Sequence, residues 1–223
     1  MSAKQLKQGL TLMFAFVAFT VTAQQHLDSE YIKVTVERAS KIVKTLDISN
    51  EEKSEAVTQI IAKQYQNLSK YHDARDAKVD AIKSLGLEDE KEENKIAKAK
   101  KKSAKKIKKL HKSYVSQLNK VLSNDQVEAV KNGMTYGVLP KTYTAFLEMI
   151  PSLTDTQKEY IYNNLEEARE YAMDGGSSKE KHAWFGKYKG RINNYLSKEG
   201  YDLQKERDGW YERIEAQKQQ ANK

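Results

Sequence analysis

Cysteine is absent from the 223 residues. That excludes disulfides, thiolate nucleophiles, cysteine-ligated metals and a lipid anchor carried on an N-terminal cysteine. Two prolines and ten glycines leave few places for a sheet to turn, which argues against an all-β architecture. Charge is mixed in sign over the whole chain, 39 basic residues against 31 acidic ones, and apolar residues recur throughout, so global disorder is not expected. Long apolar runs are missing too, except near the start.

That exception is Gly9 to Val21, preceded by Lys4 and Lys7 and followed by Thr22, Ala23 and polar Gln24. A basic start, a short apolar run and small residues at positions 21 and 23 form the pattern of a secretory leader. The run falls short of the ~20 residues that span a bilayer. The expectation is a signal peptide over 1–23, cleaved after Ala23, and a single all-helical domain over 24–223, periplasmic or secreted, not a lipoprotein and without a later transmembrane segment. Export also redirects the formal net charge of +8: outside the cytoplasm the polyanions at hand are acidic glycans, lipid head groups and other proteins rather than nucleic acid.

The rest reads as helix after helix. Ser49, Ser123 and Thr154 each follow an apolar residue and precede Glu or Gln by three positions, the reciprocal capping box that starts a helix. Ser177 with Glu180 makes a fourth, just after Gly175-Gly176, which are expected to close the preceding helix in left-handed conformation. Val57, Ile61, Tyr65, Leu68, Tyr71, Arg75, Val79 and Ile82 step by three or four and predict one helix from about Asn50 to Leu85, stopped by Gly86. Its antiparallel partner runs from about Ile96 to Val121. Further helices are predicted at Ser29 to Thr45, Thr142 to Met149, Asp155 to Met173, Ser178 to Ser197 and Leu203 to Gln217. The fold class is therefore all-α: a long antiparallel helical hairpin plus C-terminal helices in an irregular bundle.

Ten lysines fall between Lys95 and Lys112. They read as a polyanion patch or as a solvated helix face whose charge is offset by Asp73, Asp76 and Asp80 across the hairpin and by Glu88 to Glu93 at its tip; the solvated face is the expectation. No aromatic residue lies from Glu88 to Ser113, which argues against a stacking platform for bases.

Aromatics concentrate instead in the C-terminal third, 13 of the 20 lying between Tyr136 and Tyr211. Trp184, Phe185, Tyr188, Ile192, Tyr195 and Leu196 share one arc of a helix and predict a buried stripe. The opposite side carries Gly186 and Gly190 with Ala183, Asn193, Asn194 and Ser197, edged by His182 and Lys187. Two interior glycines forgo about 2 kcal/mol of helix propensity, so something is expected close to that backbone. It is either a second helix packed across the glycines or a ligand groove whose N-terminal end, Ser177, Ser178 and Lys179, offers free amides to an anion. The candidate ligand-binding set is Tyr136, Ser177, Ser178, Lys179, His182, Gly186, Lys187, Gly190, Asn193 and Asn194.

The stretch from Asp174 to Leu196 (DGGSSKEKHAWFGKYKGRINNYL), with Gly200-Tyr201-Asp202, Met134 to Val138 and Tyr31 to Val34, resembles a secreted family of polysaccharide-degrading Gram-negative bacteria. That family is a domain of unknown function with a sugar-binding label, and it supplies no catalytic or binding residues. The resemblance implies a carbohydrate partner and an extracytoplasmic address. The Leu-Ser/Thr-x-x-Gln boxes at Leu122 and Leu153 also resemble those of small periplasmic helical chaperones, which gives an alternative reading as a binder of unfolded clients.

Catalysis is not expected. Glu166, Glu170 and Asp174 align on one helix face and read as solvent-exposed. His26, His72, His111 and His182 lack metal-ligand spacing, and no nucleophile motif or phosphate loop is present. No cofactor is implied, no metal site is predicted, and the oligomeric state is not encoded in any pattern read here.

Overall fold

The computed structural model describes residues 29–221, so the predicted leader, 1–23, lies outside the described residues. Every regular element among them is a helix, as the periodicity predicts. The described residues fall into two compact units, divided between Asn67 and Leu68.

In the first unit, helix α1 (29–43) contributes Ala39, Ile42 and Val43 to the buried side chains. Helix α2 (Glu51–Lys83) begins in this unit with Val57, Ile61 and Ala62 fully buried. Gln66 donates to Thr35 Oγ1 at 3.0 Å. The cap of α2 differs by one residue from expectation. Asn50, not Ser49, accepts from the Lys53 amide, at 2.7 Å, because an Asn carbonyl caps as well as a hydroxyl and sits one step nearer the first helical residue.

The second unit holds the remainder of α2 (68–83) and six further helices. These are α3 (Asp89–Asn119), α4 (Asn124–Met134), α5 (Val138–Met149), α6 (Asp155–Met173), α7 (Ser178–Lys198) and α8 (Leu203–Ala221). Gly86, at φ +58°, turns the chain between α2 and α3, a conformation glycine takes without steric cost. Ser103 donates to the Tyr71 carbonyl at 3.4 Å across the resulting hairpin. Both halves of the capping box form at Ser123 and at Thr154.

Helix α5 starts four residues earlier than predicted. Pro140 sits in its first turn, where the amide it lacks would have had no intrahelical partner anyway. The turn before it is made by Tyr136 and Gly137, both left-handed at φ 60° and 65°.

The core lies where α5, α6 and α7 meet, with Ile150, Ile161, Leu165, Ala168, Ile192 and Leu196 fully buried. The predicted α7 stripe supplies its share: Phe185, Tyr188, Ile192 and Leu196 are buried, Trp184 and Tyr195 packed at the margin. A polar tie runs alongside. Arg169 of α6, fully buried, donates to Asn132 Oδ1 at 2.9 Å and pairs with Glu128, both on α4. Lys181 donates to the Met134 carbonyl at 2.9 Å. No helix among the described residues is long and apolar enough to cross a membrane.

Candidate functional site

The glycines at the α6–α7 junction do something other than the expected helix stop. Neither Gly175 nor Gly176 is left-handed. Their need is for space: a Cβ on Gly176 would stand 2.8 Å from Cγ of the His72 ring, and one on Gly175 would stand 3.1 Å from the Lys181 side chain. The junction is thereby pressed onto α2, and His72 Nε2 donates to the Asp174 carbonyl at 2.8 Å. Nδ1 of the same ring is buried with no hydrogen-bond partner among the described residues.

That close approach walls a cleft of about 840 Å³ lined by His72 and Arg75 of α2, Lys108 and His111 of α3, Glu170 and Tyr171 of α6 with Asp174 just after it, and Glu180, Ala183, Trp184 and Lys187 of α7. Tyr171 and Trp184 stack with centroids 4.5 Å apart and planes 18° from parallel. Tyr171 remains 45% exposed, so the ring pair faces solvent as well as the core. The Lys187 ammonium lies 5.2 Å from the Trp184 centroid.

Beside the rings the charges are ordered. His111 bonds Asp174 through Nδ1 at 3.1 Å and Glu170 through Nε2 at 3.2 Å. Those two bonds, Asp174's first and Glu170's second, outweigh burial and raise the imidazole to about 9. Burial pushes the Glu170 carboxyl the opposite way, but His111, Lys131 and Arg169 together bring it down to about 2. At neutral pH His111 therefore carries both ring protons and cannot accept another. It offsets charge on the two carboxylates it bonds rather than serving as a base. Glu170 and Asp174 are thus not the solvent-facing carboxylates their helical spacing suggested: their side chains are 31% and 19% exposed because α3 delivers a histidine between them. Arg75 is held above its ordinary range, chiefly by its hydrogen bond to Asp76. No group of three metal-ligating side chains forms among the described residues.

The residues singled out from sequence divide into four groups. Tyr136 and His182 are brought together, stacked at 5.6 Å and 16°. Gly186 and Gly190 face open space, with nothing within 4 Å of where a Cβ would stand, so no described element packs across them. Asn194 is exposed and Asn193 half-buried on that same helix. Ser177 caps α7, accepting from the Glu180 amide at 3.1 Å, with Ser178 and Lys179 exposed in the first turn. The anion-seeking end there is partly taken by the protein itself, since Glu180 accepts from the Gly176 amide at 2.7 Å instead of closing the box onto Ser177.

Of the set, Lys187 lines the cleft. Sequence reasoning missed His72, Arg75, Lys108, His111, Tyr171 and Trp184 as neighbours because they arrive from four helices, and His72 and Asp174 are 102 residues apart. The available signal was Glu170 and Asp174 at i, i+4, a pair that needed a cation to justify it.

A comparison of the chain with curated proteins finds no match. The motif-rich stretch from the α6–α7 junction through α7, together with the all-helical fold, lies within a family match that covers residues 32–216, and on that match the chain belongs to DUF3826, a family of proteins of unknown function.

Proposed function

We propose that this protein is an exported, non-catalytic binder of saccharide, with acidic glycans as the favoured class and the α2–α3–α6–α7 cleft as the site. The observation that carries this reading is the stacked Tyr171–Trp184 pair beside Lys187 in a cleft that Lys108 also lines. An aromatic face suits the C–H side of a sugar ring, and flexible lysines at its edge suit a uronate or sulfate. With both of its nitrogens bonded to carboxylates, His111 is not available as a base, which favours binding over chemistry at that residue. The periplasmic or secreted address rests on the leader pattern at 1–23.

The test is a calorimetric screen of neutral and acidic oligosaccharides. Acidic ones are expected to bind, Trp184→Ala to weaken them at least about fivefold through the lost ring contact, and Lys187→Gln to weaken acidic ligands more than neutral ones. Absence of binding to every glycan class would sink the reading. Suppression of client aggregation without any sugar present would replace it with the chaperone alternative.

A further inference from the structure

The two sides of the α2–α3 hairpin are chemically unlike. One groove, of about 590 Å³, is lined by Arg75, Lys83 and Lys100 but also by Asp76, Asp80 and Glu180. The other, of about 550 Å³, has Ala74, Ile82, Leu85 and Ala99 as its apolar floor, and Arg75, Lys78, Lys95, Lys98, Lys102 and Lys106 around it; none of the residues lining it is acidic. Of the acids expected to offset the lysine block, Asp76 and Asp80 lie on the mixed side. Asp76 pairs with Arg75 at 2.7 Å, Asp80 lines the mixed groove, and Asp73 accepts from Ser69 at 3.0 Å.

On α3 the basic side is a stripe, Lys95, Lys98, Lys102 and Lys106 recurring every three or four residues, all exposed. Leu85 stands 60% exposed where the hairpin turns. A purely hydrophilic polyanion would use the lysines and leave the apolar floor and Leu85 idle. A lipid leaflet uses both, since lysine stems lie along apolar surface while their ammonium groups reach phosphate.

We propose that the acid-free side of the α2–α3 hairpin docks on a membrane surface rich in acidic phospholipid. Charge complementarity selects the partner: five lysines, with no carboxylate among the lining residues, meet phosphodiester anions, each lysine near such a surface strengthening binding roughly fivefold. The interaction is peripheral and falls as salt screens it. It does not depend on the saccharide reading, and its residues, Arg75 aside, are not those of the cleft.

Cosedimentation of the full chain with vesicles of phosphatidylcholine alone and of phosphatidylcholine with phosphatidylglycerol tests it. Lys4 and Lys7 beside the apolar 9–21 run also favour acidic vesicles, so the hairpin is reported by the paired charge variants, which leave that run unchanged. The acidic vesicles are expected to bind at least tenfold more tightly, and Lys98→Glu with Lys102→Glu should remove most of that difference. Lys83→Glu with Lys100→Glu, equal in charge but on the mixed groove, should retain most of it, and Leu85→Ser should weaken binding severalfold. Equal loss in the two double variants would reduce the effect to net charge and overturn the proposal. So would equal binding to both vesicle types, or an unchanged Leu85→Ser variant that binds a soluble polysulfate just as well. All five positions are exposed, and circular dichroism melts verify that the variants fold.

Discussion

Helices α6 and α3 are both long, charged and regular in their apolar spacing, yet they hold the molecule together very differently. Eight of the 19 residues of α6 are buried, among them Ile161, Leu165 and Ala168 in the shared core with α7. Of the 31 residues in α3, three are buried, Ser103, Tyr114 and Leu118, two of them near its C-terminal end. The period is the same, but α3 puts Ala99 and Ser103 where α6 puts Ile161 and Leu165. Periodicity sets which face turns inward; side-chain volume sets how much free energy that face returns. The tip of the hairpin should accordingly open locally at a small fraction of the free energy that unfolds the core.

The largest expected effect tests that contrast directly. Leu165→Ala removes a fully buried side chain and should cost about 3 kcal/mol in a denaturant melt. Ile107→Ala, on the half-buried stripe of α3, should cost about 1 kcal/mol or less. Similar losses at the two sites would show the hairpin to be as tightly built as the core.

Next comes the ion cluster that joins α3 to α6. Because folding raises His111 from 6.5 to about 9, its stabilisation is complete below pH 6.5 and is lost as pH climbs through 9. Glu170 falls from 4.5 to about 2, so its share is complete above pH 4.5 and is lost as pH drops toward 2. Stability should be flat between about pH 4.5 and 6.5 and decline on either side, by about 2 kcal/mol on the alkaline arm once partial solvent exposure is allowed for. His111→Gln should flatten the alkaline arm in melts taken from pH 6 to 10. A persisting alkaline decline would assign it to other groups.

The glycines of α7 and its junction should separate in sign. Gly186→Ala and Gly190→Ala enter open space in a helix interior and should each stabilise by about 1 kcal/mol. Gly176→Ala drives a methyl into the buried His72 ring and should destabilise by about 2 kcal/mol. If the α7 variants melt lower, an unseen partner covers that face. The smallest effect belongs to the exposed lysines: replacing Lys100, Lys101 and Lys102 with Gln should change thermal stability by about 1 kcal/mol or less.

What could be read in advance follows the reach of each interaction. Capping boxes at Ser123 and Thr154 close within three residues, and both formed as written. The hairpin, the α7 stripe and the extent of α6 depend on local period and were equally legible. Gly175 and Gly176 were placed correctly at a helix end but for the wrong cause, since the ring that demands their small size belongs to His72. Glu170 and Asp174 looked solvent-facing because His111, 59 and 63 residues away, leaves no trace in their neighbourhood. The cleft is built from such long-range meetings, so its rings and cations could be named singly but not assembled.

The contact of His72 with the α6–α7 junction also carries an expectation about the order of events in time. Helices α6 and α7 are neighbours in sequence and can pair as soon as both have been made, closing a loop of a few residues. The hydrogen bond from His72 to the Asp174 carbonyl closes a loop of 102 residues, and the entropy of that closure must be met before the contact contributes anything. During synthesis the second half of α2 leaves the ribosome long before its binding surface exists. The cleft is therefore expected to be the last part of this unit to take shape, with a folding transition state that holds α6 and α7 together while the basic hairpin still swings free.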